Sequence, residues 1–138
     1  MVILLDTNVI LNYLLKREPG YLYAEKILRK CAQGEFCGYM AFHSISILWY
    51  VLRKIPDEQR RVVLKNILAI INVTGASHEA VLSALDKADF KDFEDCLQDK
   101  CAVHVDAHYI VTDNIKDFQQ SVTPAITSEM FCERFIEV

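Results

Sequence analysis

Short apolar runs alternating with stretches of helical spacing constrain this chain more than any other feature. Val2–Leu5 is a continuous apolar run cut by Asp6-Thr7-Asn8, which reads as a buried strand ending at a helix N-cap. Val9, Ile10, Tyr13 and Leu14 follow helical spacing until Pro19-Gly20, and Leu22, Ile27, Leu28 and Cys31 mark a second helix that stops near Gly34. Phe36–Met40 reads as a short strand. From about Ser44 a helix follows whose apolar residues Ile45, Ile47, Leu48, Trp49, Val51 and Leu52 cover most of its circumference, so it is expected to be buried. Pro56-Asp57 restarts a helix to about Ala69, and Ile70–Val73 is a strand before a Thr74-Gly75 turn. Helices over about 77–85 and 92–103, a strand at Tyr109–Val111, a short strand at Ala125-Ile126 and a helix over Ser128–Phe135 complete the order. This alternation predicts right-handed βαβ units, and hence a three-layer α/β/α sandwich around a parallel sheet.

Four glycines and three prolines leave no linker and no low-complexity segment, so residues 1–138 are expected to form one domain. The five cysteines are odd in number and show no CxxC pair. They are expected as small buried apolar residues in a reducing cytoplasm, not as a disulfide framework or zinc ribbon. Met1–Leu5 is too short for a signal sequence or a membrane span, so no membrane association is expected. The net charge of −4 removes the argument for a strongly basic, duplex-binding protein. It leaves room for a metal-dependent nuclease, whose clustered carboxylates make the net charge negative.

In a parallel α/β sheet, ligands bind beyond the carboxyl ends of the strands. Asp6 follows the first apolar run, and Asp113-Asn114 follow the run Tyr109–Val111. Asp95, in the acidic stretch Asp92-Phe93-Glu94-Asp95, opens the helix leading to that second run. Carboxylates gathered this closely repel one another unless a cation is present, and the fitting occupant is Mg²⁺ or Mn²⁺, which prefers oxygen ligands. Each residue also has a plainer reading: Asp6 as an N-cap, Asp92–Asp95 as first-turn acids favoured by the helix dipole, Asp113 as a turn residue.

Three segments in order, Leu5-Asp6-Thr7-Asn8-Val9-Ile10-Leu11, Asp92-Phe93-Glu94-Asp95-Cys96-Leu97-Gln98 and Ile110-Val111-Thr112-Asp113-Asn114-Ile115-Lys116-Asp117-Phe118, give the chain its resemblance to the PIN-domain ribonucleases. The toxins of virulence-associated toxin–antitoxin pairs are small members of that family. The resemblance implies hydrolysis of RNA phosphodiesters with Mg²⁺ or Mn²⁺, a cognate antitoxin as partner, and a homodimer. It makes Asp6 and Asp95 the catalytic metal ligands, with Asn114 and Asp113 completing the set. Asn8, Thr112, Glu94 and Asp117 are supporting residues.

One position departs from the family pattern. The resemblance places a Glu where Ile47 stands, and an apolar side chain cannot bind Mg²⁺. Two readings follow: a ribonuclease whose activity is weakened, or a catalytically impaired module of the same fold that binds RNA or a protein. A receiver-like phosphoacceptor domain would need an Asp and a Lys at two strand ends, and no convincing pair is present. Lys16-Arg17, Lys26, Arg29-Lys30, Arg53-Lys54 and Arg60-Arg61 read as an RNA path or as solvated helix faces. Asp99, four residues after Asp95, is expected to be exposed. His43, His78, His104 and His108 are expected at ordinary surface or half-buried positions, and Tyr21, Tyr23, Trp49 and Tyr50 in packing.

Overall fold

Five strands, β1 (Val2–Leu5), β2 (Cys37–Ala41), β3 (Asn72–Thr74), β4 (Tyr109–Val111) and β5 (Ala125–Ile126), pair into an all-parallel sheet of order β3-β2-β1-β4-β5. This computed structural model describes residues 1–137; Val138, the last residue of the expected domain, lies outside them. β1 takes the central position because both of its faces are apolar: Ile3, Leu4 and Leu5 are wholly buried.

Side chains alternate across the sheet and divide the core in two. Ile3, Leu5, Met40, Val111 and Ile126 face helices α1 (Thr7–Leu14), α2 (Gly20–Ala32), α3 (Phe42–Val51), α4 (Asp57–Leu68) and α7 (Ser128–Phe135). Leu4, Ala41 and Ile110 face α5 (His78–Asp86), α6 (Phe93–His104) and Phe118. The three expected layers are present. A 3₁₀ turn over Ile115–Phe118, absent from the sequence reading, carries Phe118 into the second layer.

Local rules account for two of the joints. α2 ends in a Schellman motif: Gly34 takes φ +80°, its N–H donates to the Cys31 carbonyl at 3.0 Å, and Glu35 N–H reaches the Lys30 carbonyl at 3.0 Å. In β2, a Cβ on Gly38 would lie 2.7 Å from Ile71 Cγ2, so glycine lets the loop before β3 close over the strand.

The chain builds outward from β1 through β2 to β3, then returns over α5 and α6 to lay β4 and β5 on the other side. Strand order therefore reverses between β1 and β4, which opens a crevice at their carboxyl ends. Asp6 N–H donates to the Val111 carbonyl at 3.0 Å and fixes the register at that point.

Some expectations are corrected. α3 is not buried all round: Ser44 and Leu48 face inward, while Phe42 is 71% and Tyr50 63% exposed. Few elements pack against α3, and an apolar periphery does not create neighbours to cover it. Tyr50 instead carries the Arg53 guanidinium, 4.2 Å from its ring centroid. Cys37 is exposed while the other four cysteines are buried. Asp99 is 1% exposed, and its carboxylate accepts the Val122 and Thr123 N–H groups at 2.9 and 3.1 Å. It therefore anchors the loop before β5.

Candidate metal centre

Asp6 ends β1 and is almost wholly buried, at 3% exposure. Its Oδ2 accepts the Thr112 hydroxyl at 2.9 Å, and Thr112 Oγ1 accepts the Asn114 N–H at 3.0 Å. One hydroxyl thus links the end of β1 to the turn after β4. Beneath Asp6, Thr7 and Ser44 share a hydrogen bond of 2.7 Å, and Gln98 Nε2 reaches Thr7 Oγ1 at 3.0 Å, Ser44 Oγ at 3.3 Å and Asp6 Oδ1 at 3.5 Å. α6 buries these polar groups because it packs across the sheet from β3 to β4 with Asp95, Gln98 and Asp99 on its inner face.

Above this floor lies a hollow of about 280 Å³ lined by Asp6, Thr7, Asn8, Ile47, Asp92, Glu94, Asp95, Asn114 and Asp117. Asp92 caps α6, accepting the Asp95 N–H at 3.1 Å, so the plain capping role is real for that residue. Even so, Asp92, Glu94 and Asp95 each bring a carboxylate oxygen within 4.8 Å of the others. The consequence is electrostatic crowding. Burial first, and then the neighbouring Glu94 carboxyl and the Asp6 charge, push Asp95 up to about 8. Burial likewise raises Asp6 to about 6, with Thr112 opposing the shift and Glu94 adding to it.

The expected residues divide by position. Asp6, Asp95, Asn114, Asn8, Glu94 and Asp117 line one hollow, and Thr112 lies beneath it. Asn114 donates its side-chain N–H to Asp117, which Lys91 approaches at 3.2 Å. Asp113 is turned away: its Oδ1 accepts the Ser128 N–H at 3.0 Å and hydroxyl at 2.7 Å, and Oδ2 takes Asn12 Nδ2 at 3.4 Å. It lines a separate surface hollow with Arg17 and Glu129 and is no part of the cluster. Adjacent residues after a strand point in opposite directions, so only one of Asp113 and Asn114 can face the crevice.

Sequence reasoning missed Thr7, Ser44, Gln98 and His43. Gln98 stands one turn after Glu94 on α6, which was a readable signal; His43 and Ser44 are neighbours in the chain, but only tertiary packing sets Ser44 against Thr7 and His43 against Glu94. The basic residues favour the plain reading: Lys26, Arg29, Lys30 and Arg61 are held by Glu137, Glu25, Glu35 and Asp57, and Arg60 lies 3.9 Å over Trp49.

A hard divalent cation fits these donors. They are all oxygens or amides, and Asp95, only 8% exposed, accepts no N–H or O–H hydrogen bond from any of the described residues. Among those residues no helix is long and apolar enough to cross a membrane.

Fold and site together define an α/β/α domain with an acidic crevice at the switch point of its sheet. The chain belongs to the PIN domain family, whose family model matches residues 2–116. It is similar to ribonuclease VapC1 of Aquifex aeolicus (strain VF5), with 29% identity over 137 residues that cover 96% of this chain and 94% of the relative. Two solved structures share the fold at 20% identity. VapBC2 from Rickettsia felis, bound to a DNA fragment from their promoter, superposes with a TM-score of 0.69 over 92% of this chain and 98% of its own. VapBC-1 from nontypeable Haemophilus influenzae gives 0.70 over 94% and 99%.

Proposed function

We propose that this protein is a Mg²⁺- or Mn²⁺-dependent ribonuclease of the toxin type. The observation that carries the reading is the Asp6–Asp95 pair: two buried carboxyls in one hollow, both raised by burial first and then by neighbouring carboxylates, Glu94 for Asp6 and Glu94 with Asp6 for Asp95. A divalent cation there would lower the pKa of a bound water and offset phosphate charge. Asp6 and Asp95 would hold it, with the neutral oxygen of Asn114 alongside. Thr112 keeps Asp6 pointed into the hollow and favours its ionised form. Gln98 ties α6 to the end of β1, so the two ligands move as one unit.

Similarity to ribonuclease VapC1 supports RNA as substrate. A cognate antitoxin partner is supported by the two VapBC neighbours, and a homodimer by the exposed Phe42 and Tyr50 of α3. The test is cleavage of a fluorescent RNA set by the purified protein with Mn²⁺, with Mg²⁺ and with chelator. Metal-dependent cleavage lost in both Asp6→Asn and Asp95→Asn is expected, and equal cleavage by all three proteins would sink the reading. A second reading, an impaired RNA- or protein-binding module, is favoured by Ile47, which lines the hollow where the family pattern has a Glu. It predicts RNA retention without cleavage.

A further inference from the structure

We propose that Glu94 supplies the carboxylate that Ile47 lacks, and that His43 and Gln98 aim it into the hollow. The inference rests on the divalent-cation reading of that hollow. His43 and Ile47 are four residues apart on α3, so the helix face that carries the apolar residue also carries an imidazole one turn earlier. His43 Nε2 lies 3.2 Å from Glu94 Oε1, and Gln98 Nε2, one turn along α6, lies 3.1 Å from the same oxygen. Both contacts converge on Oε1. Among the described residues no N–H donates to Oε2, the Asp95 carboxyl bonds to Glu94 while it keeps its proton, and Glu94 lines the hollow with Asp6 and Asp95.

Holding one carboxylate oxygen by the protein while the other stays free is how ligating carboxylates are oriented. A plain ion pair between α3 and α6 would need no such convergence, nor an oxygen within 4.8 Å of Asp92 and Asp95 atoms. Asp95 beside it, only 8% exposed, accepts no N–H from the described residues, a second sign that the cluster faces a cation. α3 thus contributes through a positioning residue, His43, where the family pattern uses a ligand.

The test is Mn²⁺ affinity of the full chain without RNA, read from the electron paramagnetic resonance signal of free Mn²⁺, with melting temperatures recorded alongside. Glu94→Gln keeps the shape and removes the charge, and should weaken Mn²⁺ about tenfold or more; His43→Ala should lose about tenfold. The double variant should bind like Glu94→Gln alone, because His43 acts only through Glu94; a merely structural role would add its own loss. Ile47→Glu in the Glu94→Gln background should recover affinity, and if it does not fold, the His43–Glu94 cycle still decides. Wild-type affinity in Glu94→Gln, with binding lost in Asp6→Asn, overturns the role of Glu94 and leaves the site standing. A wild-type chain that binds no Mn²⁺ overturns both.

Discussion

Replacing Asp6 by Asn isolates what ionising a buried carboxyl does to the metal-free fold. Asp6 has a folded pKa of about 6 against 3.8 when unfolded, so the folded state binds its proton more tightly. The stability linked to that proton is fully present below 3.8, is lost as pH rises through 6, and is gone by pH 8. At about 1.36 kcal/mol per pKa unit the loss is about 3 kcal/mol. Asn cannot ionise, and its carbonyl can still accept the Thr112 hydroxyl. Its amide can meet Gln98 Oε1, which is buried without a partner, if that amide group turns over. In chelator, Asp6→Asn and wild type should therefore have similar urea midpoints at pH 4, whereas at pH 8 the variant should be more stable by about 3 kcal/mol. With a denaturant slope of about 1–3 kcal/mol per M, the midpoints then separate by about 1–3 M. Asp95, held up to about 8, slopes in the same direction over a wider window. His43 adds to it: burial opposes its charge, but contacts with Cys101 and Glu94 outweigh burial and raise it to about 9, so its contribution is present below 6.5 and fades toward 9. Saturating Mn²⁺ should reverse the order at pH 8, because only the ionised wild type binds it well. An offset between variant and wild type that is the same at both pH values, or a variant less stable at pH 8 in chelator, would refute the reasoning.

Further expectations follow from the same contacts. Asp113→Ala removes the acceptor of the Ser128 N–H and hydroxyl, so thermal unfolding should show a loss of about 1–2 kcal/mol while Mn²⁺ affinity stays at the wild-type value. Asp99→Ala strands the buried Thr123 N–H and should lower stability by about 2–4 kcal/mol in urea titrations. Phe131→Ala empties a fully buried site edged by the rings of Phe36, Tyr109 and Phe135, and calorimetry should report a loss of about 3–5 kcal/mol.

Much of the architecture was legible in the sequence because its causes are local. Val2–Leu5 is apolar at every position, which demands a strand covered on both sides, and Gly34 stands where a helix must turn left-handed to stop. Helix and strand order, the parallel sheet and the placing of Asp6 and Asn114 beyond strand ends all follow from such patterns. Burial is different, since it belongs to a residue and its neighbour together. The apolar periphery of α3 did not bury Phe42 or Tyr50, and Asp99 is covered because a loop more than twenty residues later lays its amides on it.

By itself, then, the sequence determined which side chains each element offers and at what spacing, because 3.6- and 2-residue periods are properties of one segment. Only the tertiary structure decided which offers meet. Asp113 and Asn114 are adjacent and equally plausible on paper, yet the packing of α7 claims one and leaves the other at the crevice. Glu94 acquires a partner on α3 only when α6 crosses β1, which brings His43 within 3.2 Å across a separation of 51 residues. Electrostatic shifts follow the same rule: Asp6 and Asp95 are ordinary acids in the chain, and desolvation and neighbouring carboxylates make them unusual once the fold has gathered them around one hollow.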